Sequence, residues 1–167
     1  MIEGVMLKKL VTHRDERGFF REVIRMTDDF FEEGFGQWSH SLMYPGIIKA
    51  WHIHQKQTDW WYVCNGVLKV VLYDDRDSSS THGERKEILL GDGQRSLVLK
   101  IPPGVAHGCK CIEGPANLLY MTSHAYNPDD EGRWPHDQEK IVSPSNEIRV
   151  VYDWLGEPSL GQVRIVS

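Results

Sequence analysis

The chain has 167 residues, 40% of them hydrophobic, and a net charge of −5. That length predicts one domain over 1–167 with room for a buried core. The acidic balance and the lack of a basic run exclude nucleic acid and an anionic membrane as partners, and no stretch approaches the roughly 20 apolar residues of a membrane span.

Strands are predicted over 5–12, 19–26, 37–44, 47–55, 58–64 and 67–74, then over 87–91, 95–101, 105–112 and 116–126. A final strand or short turn covers 148–155. One short helix is predicted over 27–36, with Thr27 as N-cap and Gly34 as the stop. The polar stretches 74–85 and 127–140 read as solvated loops. Many short strands with turn signals between them predict an all-β sandwich or barrel. The first ten residues, MIEGVMLKKL, do not read as a signal peptide. Cys64, Cys109 and Cys111 cannot all pair within one chain and match no zinc-site spacing. They read as free thiols, which predicts a cytoplasmic protein.

The chemistry concentrates in two stretches. GIIKAWHIHQKQTDWWYVCNG (46–66) places His52 and His54 two apart, with Asp59 five further on. In a strand such neighbours share a face, so both imidazoles point one way while Trp51 and Ile53 point the other. LVLKIPPGVAHGCKC (97–111) adds a Pro-Pro-Gly turn and then His107. The spacings G-x5-H-x-H-x4-D-x6-G and P-x-G-x2-H resemble the paired motifs of cupins, with Asp59 where a Glu is usual. They predict a cupin jelly-roll, a double-stranded β-helix barrel with the site inside. Two chemistries remain open at this point. His52, His54, Asp59 and His107 could hold one divalent transition metal, or the histidines could move protons. Asp59 could also orient His54 from behind.

Five segments carry a closer resemblance: DERGFFRE (15–22), GIIKAWH ending at His52, DDRDSSSTHG (74–83), KIPPGVAHG (100–108) and LLYMTSHAYNP (118–128). Their order resembles the dTDP-4-dehydrorhamnose 3,5-epimerases and relatives over roughly 13–137. The resemblance implies a homodimeric isomerase that epimerises a nucleotide-linked 4-keto sugar, with no metal or other cofactor. It implies His52 as the base and Tyr120 as the acid. It places Arg17 and Arg76 at phosphate or substrate, and Phe20, Gln37, Lys49, His107 and Tyr126 around the sugar. Lys49 stands where the family has Arg, Ser39 where it has Asn, and Asp59 where it has Lys. His54 has no counterpart, although its place in the cavity makes it a substrate-binding candidate with Asp59. The family's late Lys-Asp motif, whose Asp orients the base, finds no match; Asp153 is the substitute expected here.

The residues alone also admit plainer roles. Arg17 and Arg76 could be turn residues and Tyr120 a core residue. Trp51, Trp60 and Trp61 read as packing, and Asp74, Asp75 and Asp77 as a solvated turn rather than a calcium loop. A non-catalytic sugar-binding barrel is the remaining alternative.

Overall fold

The computed structural model describes residues 1–136, 140–142, 148–150 and 152–156. Among them the strands are β1 (Met6–Lys9), β2 (Thr12–Asp15), β3 (Gly18–Arg21), β4 (Gln37–Met43), β5 (Ile48–His54), β6 (Asp59–Asp74), β7 (Arg85–Gly91), β8 (Leu97–Ile101), β9 (Val105–Thr122), β10 (Glu131–Arg133), β11 (Lys140–Val142) and β12 (Ile148–Val150). The all-β expectation holds.

Two long strands organise the rest. The first part of β6 pairs with β8 and with the far end of β9, which also takes β4. The second part of β6 pairs with β7 and with the near end of β9, which takes β5 and then β10. Two half-sheets thus share β6 and β9 and enclose one core of Leu7, Met43, Trp61, Val63, Leu68, Val70, Leu72, Leu99 and Leu118. Strand alternation sends the remaining residues outward, and those faces are covered too. Trp60, Tyr62 and Val98 lie under Leu10, Phe30 and Phe31. Trp51, Ile53, Val71 and Ala106 lie under Tyr152 and Trp154. Coverage on both faces explains why runs such as DWWYV and LKVVL lack a polar–apolar alternation.

Two expected strand pairs are single strands. β6 runs through 65–66 and β9 through 113–115, at the places where their mutual register shifts. Gly66 makes the passage possible, at φ +78; a Cβ there would meet the Glu113 carbonyl oxygen at 2.6 Å. The helix expected over 27–36 is one 3-10 turn, Asp29–Phe31, which buries both Phe30 and Phe31. Asp28 rather than Thr27 precedes it, and its carboxylate binds Lys8 and the Arg25 N–H instead of capping the turn. β2 and β3 form a hairpin sheet of their own.

Candidate active site

β5, β6 and β9 line a cavity of about 260 Å³. His52 and His54 enter from β5, while Trp51 and Ile53 pack on its opposite face. Close approach of β5 to β9 depends on Gly108, where a Cβ would stand 2.3 Å from that of Ala50. This brings His52 into register with His107, their rings 6.2 Å apart.

His52 Nδ1 lies 2.8 Å from Glu131 Oε1, and Arg133 donates to Glu131 Oε2 at 2.8 Å. The carboxylate only accepts, so Nδ1 carries a proton, and in the neutral ring this tautomer leaves the lone pair on Nε2. Burial pushes the Glu131 carboxyl upward, but the bonds from Arg133 and His52 outweigh it and hold it below the usual range. Glu131 is therefore a fixed negative charge behind the imidazole.

Asp59 sits in the opposite condition. It is buried, and burial raises its pKa. Gln57 Nε2 donates to its Oδ1 at 2.7 Å and Trp61 Nε1 to its Oδ2 at 3.0 Å. His107 Nδ1 donates to the Val105 carbonyl at 3.0 Å, leaving Nε2 as an acceptor 3.8 Å from Asp59 Oδ2. Burial lowers the His107 pKa to about 4 and also lowers that of His54, against the pull of Asp59. Both rings are thus neutral at neutral pH. Ligand atoms of His54, Asp59 and His107 lie within 4.8 Å of one another. His52 stands outside that group, so the four-residue metal set expected from the spacing is not brought together whole.

A family model described as dTDP-4-dehydrorhamnose 3,5-epimerase matches residues 1–148. The spore coat polysaccharide biosynthesis protein SpsL of Bacillus subtilis (strain 168) is 48% identical over 144 residues, 84% of this chain and 94% of that protein. This chain belongs to that epimerase family. It is a carbohydrate isomerase on a cupin-type barrel, as the resemblance implied. A dTDP sugar isomerase from Desulfovibrio desulfuricans G20 superposes with a TM-score of 0.81 at 27% identity, covering 94% of each chain. The epimerase RmlC from Legionella pneumophila Philadelphia 1, in complex with dTDP-4-keto-L-rhamnose, superposes at 0.71 and 27% identity over 79% of this chain and 73% of that one.

In this epimerase the cavity gathers Gln37, Lys49, His52, His54, Asp59, His107, Tyr120 and Tyr126. Lys49 Nζ donates to Ser41 Oγ at 2.7 Å, and Gln37 ties β4 to the 123–130 segment by accepting the Tyr126 N–H at 3.0 Å. Four expected residues lie elsewhere. Asp153 accepts the Leu155 N–H at 2.8 Å, between Tyr152 and Trp154, which pack on Trp51 behind β5. It therefore cannot orient His52; Glu131 does. Arg76 is bound to Asp74, at 2.8 Å from its Nε, and to the Glu3 carbonyl. Asp74 is wholly buried and needs that cation, so at Asp74 the turn is structural, while Asp77 is solvated as expected. Arg17 pairs with Asp15 on the exposed β2–β3 hairpin, and Phe20 beside it is 63% exposed. Neither reaches the cavity of its own chain.

Glu131, Arg133, Gln57 and Trp61 are the site residues that sequence reasoning missed. The first two lie in the stretch read as a solvated loop. Pairing of β10 with β5 sets Glu131 opposite His54 and Arg133 opposite His52, and local sequence carries no signal for such a long-range pairing. Asp130 beside them accepts the backbone N–H groups of Gln55, Lys56 and Gln57 at 3.0–3.2 Å, closing the β5–β6 turn. Gln57 was within reach, since its spacing of two from Asp59 is the spacing that paired the histidines.

Proposed function

We propose that the cavity takes the 4-keto hexose of a dTDP-type nucleotide sugar and inverts a carbon next to the ketone. His52 Nε2 removes the C–H proton, the electron pair moves onto the ketone oxygen as an enolate, and Tyr120 returns a proton to the other face. Atoms and charge balance without an organic cofactor. The observation that carries this reading is the Arg133–Glu131–His52 chain. It fixes the tautomer that presents a base to the cavity, and it stabilises the imidazolium formed in the step. Tyr120 lines the same cavity from β9, opposite Ser39 in the β4–β9 register. Lys49 and Arg133 are the cations beside the cavity that suit an anionic diphosphate or enolate. The likeness to SpsL supports a place in cell-surface polysaccharide synthesis, and the bound sugar of the Legionella enzyme supports the substrate class.

A homodimer completes the reading. The exposed hairpin leaves Arg17 and Phe20 available to a neighbouring chain's cavity, and the exposed Phe19 and Trp38 offer apolar surface for association. Among the described residues no helix is long and apolar enough to cross a membrane, in keeping with action in the cytoplasm.

The test is solvent exchange. Wild-type protein in heavy water should place deuterium beside the ketone of a dTDP-4-keto-6-deoxyhexose, read by NMR. His52→Ala should slow this by about 10²–10⁴-fold while its circular dichroism spectrum is retained. Undiminished exchange in His52→Ala would remove His52 as the base.

A further inference from the structure

We infer that His54, Asp59 and His107 bind one divalent transition metal at the closed end of the cavity, separate from the His52–Glu131 pair. The first ground is the state of the lone pairs. The Val105 carbonyl holds the proton of His107 on Nδ1, so Nε2 faces Asp59 Oδ2 as acceptor against acceptor, 3.8 Å apart. An amide nitrogen can only donate, so the 3.2 Å contact from Gln57 Nε2 marks His54 Nε2 as unprotonated as well. That contact is long enough for a metal to displace. Rotating the Gln57 amide would set its oxygen against Asp59 Oδ1, so the orientation is fixed by Asp59 itself.

The second ground is charge. Asp59 is 4% exposed, and its only salt-bridge partner among the described residues is His107, whose Nδ1 proton is turned away to the Val105 carbonyl. Lys49 and Arg133, the cavity's cations, bond Ser41 and Glu131, and neither forms a salt bridge with Asp59. A carboxylate in this position lacks the counter-charge that burial demands. A dication supplies it.

Geometry and chemistry agree. Metal–ligand lengths of about 2.0–2.1 Å set tetrahedral neighbours about 3.4 Å apart. The observed group, within 4.8 Å, reaches that by side-chain shifts of about an ångström. Two imidazoles and one carboxylate suit zinc-, cobalt- or iron-type ions rather than calcium or magnesium. Trp61 Nε1 and Gln57 Nε2 hold the carboxylate, Val105 holds one imidazole, and Asp130 Oδ2 stands 4.0 Å from His54 Nδ1. These contacts orient the ligands in the way metal sites require. Three protein ligands leave a coordination position open to the cavity. On the keto-sugar reading above, that position would take a substrate oxygen.

The experiment uses untagged full-length protein stripped with a chelator and titrated with Co(II), read by calorimetry and by visible absorption. One Co(II) per chain with ligand-field bands is expected. Asp59→Asn and His54→Gln should each weaken binding at least about tenfold and abolish the bands, whereas His52→Ala should stay within about twofold. Substoichiometric uptake by the wild type, or equal affinity in Asp59→Asn and His54→Gln, overturns the assignment and leaves Asp59 as a neutral, protonated acid. Should those variants not fold, the electron paramagnetic resonance of Cu(II)-loaded wild type decides: coupling to two imidazole nitrogens is expected, and coupling to one or none overturns it. Metal is read here without sugar. A failed metal site would leave solvent exchange intact, and a failed epimerase reading would leave the stoichiometry intact.

Discussion

Glu131 and Asp59 line one cavity and live under opposite rules. Glu131 has a guanidinium on one oxygen and an imidazole on the other, and its pKa falls below the ordinary value. Asp59 is bonded only by neutral donors, and its pKa rises. Both are carboxylates beside a histidine, Asp59 buried and Glu131 half-buried. What separates them is depth of burial and a cation within reach, and together these decide whether the acid serves as a fixed charge or as a place for a proton or metal ion. Asp74 repeats the Glu131 condition away from the cavity. Burial opposes its ionisation, yet bonds from Arg76, Ser79 and Thr81 hold it far below the carboxylate range.

Removing the cation is the harshest way to break this pattern. Arg76→Ala should cost about 3–5 kcal/mol, because it strands a wholly buried carboxylate. The readout is the urea midpoint, with the solvent-exchange rate per folded molecule unchanged. If that rate collapses while the fold survives, Arg76 belongs to the substrate site after all. Glu131→Gln comes next. It keeps an acceptor for His52 and removes the charge, so exchange should slow roughly 100-fold with little change in KM. Full activity in this variant would deny Glu131 its positioning role. Arg133→Ala should have a milder effect, about tenfold, since its side chain is 65% exposed and water screens the pair.

The smallest effects lie in the pH dependence of stability. The folded pKa of Asp59 is raised, so its contribution is favourable at low pH and is lost as pH rises from 3.8 through the folded value. In metal-free protein Asp59→Asn should remove that loss. His107 has the opposite sense. Its folded pKa of about 4 lies below the ordinary 6.5, so the unfolded chain takes the proton first and stability falls between pH 6.5 and 4. Thermal melts of His107→Gln should show a flatter acid limb over that window. An unchanged limb would place the acid sensitivity elsewhere.

Much of this was legible in the sequence. The alternation of Trp51, His52, Ile53 and His54 told which side chains enter the cavity, and the Pro-Pro-Gly turn foretold that His107 would join them. Tyr120 followed from its resemblance alone, since LLYMT reads equally as core. Glu131 was hidden because contact across β5 and β10 joins residues 79 apart. Asp153 failed as its substitute because Tyr152 and Trp154 commit that turn to the outer face of β5. Gly66 marked a turn by its composition, yet both long strands pass that region without ending, since each has partners on either side of it. Composition shows where a chain can bend, not whether neighbouring strands let it stop.

β10 is three residues long and lies at the end of the sheet, with β5 as its strand partner. Its backbone is the kind that frays first, at a fraction of the free energy needed to open β6 or β9. On the proposed mechanism, catalytic competence is therefore fastened to a short edge strand of an otherwise deeply interlocked molecule. Warming the protein should silence it well before the barrel comes apart, and cooling should restore it without any refolding.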